Sequence, residues 1–124
     1  MRKLLFSFLL ICFCHVSNAQ MVYPYQDIKL EKPSDYKETE AMALSAAKFL
    51  LGTPFVEVDV NRTNALVFLN KWMSGTKDYQ FYLQGFVQDL SVDLNLLSLY
   101  IPAMIKFTLE NKAEAVNPIK VEQY

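Results

Sequence analysis

The chain has 124 residues, 12 Lys or Arg against 13 Asp or Glu, a net charge of −1, one histidine and two cysteines. The charges are scattered with no basic block, which argues against the phosphate-neutralising footprint of a nucleic-acid binder. His15, Cys12 and Cys14 all fall within the first twenty residues, so the rest of the chain has neither imidazole nor thiol.

Those first residues have the pattern of an export signal. Met1-Arg2-Lys3 is a short positive start, and Leu4 to Val16 is an apolar run interrupted only by Ser7 and His15. Ser17-Asn18-Ala19 follows, with small residues where a signal peptidase reads. The pattern predicts a signal peptide over 1–19, cleavage before Gln20, and a periplasmic or secreted product. The apolar run is shorter than the roughly 20 residues of a membrane span, so an uncleaved anchor is the lesser alternative. Ile11 and Phe13 precede the two cysteines, which does not suit lipid attachment. Leu94 to Leu109 is the longest later apolar stretch, and Asn95, Pro102 and Lys106 break it, so no transmembrane segment is expected after cleavage. Removing nineteen of 124 residues leaves 105, one small domain. It loses Arg2 and Lys3 and so carries a net charge of −3. It has no disulfide to lean on, and its aromatic residues must build the core.

Gln20 to Pro33 has no helical period and reads as an extended arm, docked through Tyr23 and Tyr25 or disordered. The helical domain is placed at 34–124. Its first helix is expected from Tyr36 to Leu51, with Asp35 as N-cap and Glu38 at the capping-box spacing. Met42, Ala46, Phe49 and Leu50 recur at helical spacing, the alanines leave room for a neighbouring helix, and Gly52 and Pro54 stop the element. Phe55 to Val60 alternates valines with Glu57 and Asp59. A single strand has no partner, so a linker is preferred.

Asp59 or Asn61 caps a second helix from Arg62 to Ser74, whose apolar set is Ala65, Leu66, Phe68, Leu69, Trp72 and Met73. Lys77 to Gly85 admits two readings, a helix capped by Asp78 or an extended segment. After Ser91 or Asp93 a long helix runs to Asn111, with Leu94, Leu97, Ile101, Met104, Ile105 and Thr108 on one face and Pro102 expected to kink or split it near Tyr100. Asn117-Pro118 looks like a further helix start, which suggests a very short last helix or a truncated chain. The predicted fold class is all-α, an irregular bundle or short helical-repeat solenoid of three to four helices.

Lys48-Phe49-Leu50-Leu51-Gly52-Thr53 is echoed by Lys71-Trp72-Met73-Ser74-Gly75-Thr76, and more faintly by Lys106-Phe107-Thr108-Leu109-Glu110-Asn111. The echo fits a helical repeat. It fits three helix ends better, where lysine favours the negative pole and Gly or Asn breaks the helix.

The chemistry on offer is narrow. A serine nucleophile lacks its histidine base, zinc lacks its usual Cys and His ligands, and Gly52, Gly75 and Gly85 are isolated rather than a phosphate loop. No cofactor and no metal are expected. Asp89 and Asp93 would share a helix face and could serve glycoside hydrolysis or calcium, but a solvated helix start explains them better. Glu57 and Asp59 form a second exposed pair. Trp72, Tyr79, Phe81 and Tyr82 are the densest aromatic cluster and, with Arg62, are the candidate binding residues. The competing reading makes Trp72 and Phe81 core. Asn61-Arg62-Thr63 matches a glycosylation sequon and also suits a helix cap.

The ending Ser17-Asn18-Ala19-Gln20 looks like exported proteins of Bacteroidota. Ala47-Lys48-Phe49-Leu50-Leu51-Gly52-Thr53-Pro54, then Trp72-Met73-Ser74-Gly75-Thr76-Lys77-Asp78-Tyr79, then Leu109-Glu110-Asn111-Lys112-Ala113 resemble an uncharacterised family of small exported helical proteins from that group. The resemblance spans about Ala41 to Ala113. It implies export and a helical fold, and no activity, cofactor or catalytic residue. The expected function is a non-enzymatic binding or scaffold module of the cell envelope, its partner a protein or other envelope component. The alternatives are a carrier of a small apolar ligand such as a lipid and, more remotely, a carboxylate-based glycoside hydrolase.

Overall fold

The structure is a computed structural model that describes residues 24–56, 58–81 and 93–114. The export segment 1–19, Tyr23, Glu57, Tyr82, Asp89 and the helix start expected at Asn117-Pro118 lie outside those residues. The described residues are helical throughout their regular elements. Tyr25–Asp27 makes one turn of 3-10 helix, followed by α1 (Pro33–Glu38), α2 (Glu40–Gly52), α3 (Val60–Gly75) and α4 (Leu94–Glu110). Of the alternating residues, Val56, Val58 and Asp59 lie between α2 and α3 with no strand among those described, and Val60 is the first residue of α3.

The helix expected over Tyr36 to Leu51 starts earlier and is broken. Pro33 occupies the first helical position, where its missing N–H costs nothing. Asp35 is therefore not the N-cap. It sits two residues further in, and its carboxylate reaches back to accept the backbone N–H groups of Lys32 and Glu31, each at 2.9 Å. Both bonds, Lys32 first, hold the Asp35 carboxyl below its ordinary 3.8. The break falls at Thr39, whose hydroxyl donates to the carbonyls of Asp35 at 2.7 Å and Tyr36 at 3.3 Å. The Tyr36 carbonyl also accepts the Trp72 indole N–H at 2.8 Å. A side chain from α3 thus takes up backbone capacity at the α1–α2 junction.

α3 and α4 open as the sequence suggests. The Asp59 carboxylate accepts the N–H of Asn61 and Arg62, and Asp93 accepts those of Asn95 and Leu96. The three echoed segments all close helices by one bond. Thr53, Thr76 and Asn111 donate their N–H to the carbonyls of Phe49, Trp72 and Phe107, the aromatic position of each echo. Pro102 does not split α4, which continues as one element from Leu94 to Glu110. Its ring is fully buried, and packing there offsets the roughly 3 kcal/mol that an interior proline costs a helix.

α2 is the centre of the bundle, packing most extensively on α4 and then on α3, while α3 and α4 also touch. Ala43, Ala46 and Ala47 have no exposed surface, so the small side chains on α2 sit where its neighbours come closest. Leu50, Leu69, Trp72 and Ile105 fill the space between the helices. The last turn of α4 and the turn after it are pinned to α2 by the Lys48–Glu110 pair at 3.0 Å and the Lys112–Glu40 pair at 2.7 Å. The arm docks through Tyr25, which is buried and stacks on Phe68 of α3 at 5.4 Å between centroids. Gly75 packs directly against Tyr36, whose ring occupies the space a Cβ there would need.

Candidate functional site

Of the aromatic candidates, the three that are described, Trp72, Tyr79 and Phe81, come together, but facing inward. Trp72 is fully buried. Tyr79 lies 6.0 Å from it at a tilt, and Phe81 meets it edge-on at 6.2 Å. Both rings are half-buried and come from the segment after α3, which is irregular from Thr76 to Phe81. Of the two readings for that segment, the described part takes the non-helical one. The aromatic contacts supply a packing reason, since they lay both rings over Trp72.

The Tyr79 hydroxyl donates to Glu40 at 2.9 Å, and the other oxygen of that carboxylate accepts Lys112. The Lys112 ammonium also stands 5.9 Å from the Tyr79 ring centroid. Burial pushes the Tyr79 hydroxyl above its ordinary 10.0. The bond to Glu40 raises Lys112 above its ordinary 10.5. This polar knot joins residues 39 and 72 positions apart. No local spacing in the sequence announces it.

Arg62 is also buried, at 4% exposure. Its guanidinium donates to the Leu50 carbonyl at 3.1 Å, the Thr53 carbonyl at 3.2 Å and the Thr53 hydroxyl at 2.7 Å. These acceptors lie at the end of α2, where carbonyls lack intrahelical partners. The side chain thus acts as a cap delivered from the next helix, and it holds the Phe55 ring at 5.7 Å from its charged carbon.

The most exposed apolar side chains lie elsewhere, between α2 and the start of α3, with others on the helices at Leu51, Val67, Leu96 and Leu99. Phe55 and Val56 are each 54% exposed, Val60 68% and Val58 88%. The alternation of Val56, Val58 and Val60 was legible in the sequence; their shared exposure was not. A separate open groove of about 530 Å³ lies between the arm and the end of α3, walled by Ile28, Leu30, Tyr36 and Gly75. Its lining carries charges of both signs, Lys29 and Lys71 with Glu31. Asp93 is the cap of α4, and Asn61 of the sequon is exposed in the first turn of α3.

Among the described residues no group of three or more His, Cys, Asp or Glu could hold a metal ion, and no helix is long and apolar enough to cross a membrane. No known family, curated protein or solved structure matches this chain.

Proposed function

We propose that the protein is an exported, non-enzymatic binding or scaffold module of the cell envelope, and that it meets its partner through the linker between α2 and α3. The observation that carries this reading is the exposure of four apolar side chains within six positions, Phe55, Val56 and Val58 between α2 and α3 and Val60 at the first position of α3. Scattered surface hydrophobics are ordinary, but several within one short stretch mark a contact surface. Arg62 steadies that run from below, because its guanidinium faces the Phe55 ring. The aromatic cluster supports the bundle instead, since Trp72 has no exposed surface. The reading of export rests on the positive start, apolar run and Ser17-Asn18-Ala19 ending.

The test places a photo-crosslinking side chain at position 58 in the native host. A discrete protein adduct is expected, and adding Phe55→Asp and Val56→Asp should abolish it while the helical circular dichroism persists. An adduct that survives both substitutions, or no adduct at all, refutes the linker as the contact. Mass analysis of the exported product should find Gln20 as its first residue.

A further inference from the structure

We propose that residues 76–81 form a strap over Trp72, fastened by the Glu40–Tyr79–Lys112 knot, which can lift while α2, α3 and α4 stay packed. Trp72 has no exposed surface, yet two of the rings that cover it belong to this irregular segment. Tyr79 and Phe81 are themselves only half-buried, so they form an outer layer. Tyr79 is fastened through its hydroxyl to Glu40, and Lys112 shares the same carboxylate. The helices are held differently, by buried apolar side chains of all three. Segments with few buried apolar contacts and partly exposed polar bonds open well before the whole fold does. A lifted strap bares one face of the indole, a surface suited to an aromatic or aliphatic group. The strap and the linker are separate segments, so this inference does not depend on the linker reading.

Trp72 is the sole tryptophan, so its fluorescence reports on the strap. Acrylamide quenching is measured on the whole protein, wild type against Tyr79→Phe, Glu40→Gln and Lys48→Ala. The two strap variants should quench faster, in line with about a tenfold larger open population. That is about 1.4 kcal/mol, the scale of one hydrogen bond to a charged group. Lys48→Ala cuts the Lys48–Glu110 pair between α2 and α4, which does not touch the strap, and should quench like the wild type. Wild-type quenching in both strap variants overturns the proposal. So does faster quenching that comes only with lost helicity, or that Lys48→Ala reproduces. If Glu40→Gln fails to fold, Tyr79→Phe, which removes one oxygen and keeps the ring, decides alone.

Discussion

A buried guanidinium has to find acceptors, and Arg62 finds them on the backbone and hydroxyl at the end of α2. Its fork reaches Leu50 and Thr53 together, while a lysine ammonium is a single point on a flexible stem. Arg62→Lys keeps the charge and loses part of this geometry. It should lower stability by about 1–3 kcal/mol, the cost of leaving polar groups unsatisfied at a buried site. Urea denaturation checks this as a fall in midpoint with an unchanged slope. A lysine variant as stable as the wild type would show that the fork is dispensable. In the sequence Arg62 was grouped with the aromatic residues as a candidate binding residue and lay within the Asn61-Arg62-Thr63 sequon. Its acceptors lie nine and twelve residues back, on the preceding helix and its cap, where no spacing rule points to them.

Helix starts and stops are local events, and most were legible for that reason. Asp59 and Asp93 precede their helices in the sequence and cap them in the structure. Removing either carboxylate strips two backbone N–H groups of their acceptor, so Asp59→Ala and Asp93→Ala should each cost about 1 kcal/mol. Asn at the same positions should restore nearly all of it, because its side-chain oxygen accepts the same bonds. Thermal melts of the four variants check both halves of the expectation, and an Asn variant as weak as Ala would mean the charge matters rather than the cap. The misread junction was not local. Tyr36 to Leu51 has helical spacing throughout, yet the chain breaks at Thr39, next to a carbonyl that accepts a donor from Trp72, 36 residues on. Of the two outcomes expected at Pro102, a kink or a split, the split does not occur, and α4 runs on through the proline with its ring buried. Tyr79 and Phe81 left helix and extended segment equally open, because the ring they cover lies on α3.

For the whole molecule, composition and periodicity gave the all-α class, while the pairing of helices around α2 depends on contacts that no window of sequence contains. Local and long-range links together shape the response to pH. Asp35 and Glu110 are held below their ordinary 3.8 and 4.5, Asp35 by backbone N–H groups and Glu110 by Lys106 and then Lys48. A lowered folded value adds stability above the unfolded one and loses it as pH falls through the folded value. Lys112 and Tyr79 are raised above 10.5 and 10.0, so their contribution is present below those values and is lost as pH rises through the folded ones. Stability should therefore form a plateau with an acid limb and an alkaline limb. Asp35→Asn combined with Glu110→Gln should flatten the acid limb and leave the alkaline limb in place, and Lys112→Met should reduce the alkaline limb to the part that belongs to Tyr79 and leave the acid limb in place. Both acids are at the surface, so added salt should weaken the part of the acid limb that belongs to Glu110 and its lysines more than the part that belongs to the backbone bonds of Asp35. Melting temperatures measured across pH at two salt concentrations separate these contributions. An acid limb that is unchanged in the double variant would show that other carboxylates govern unfolding there.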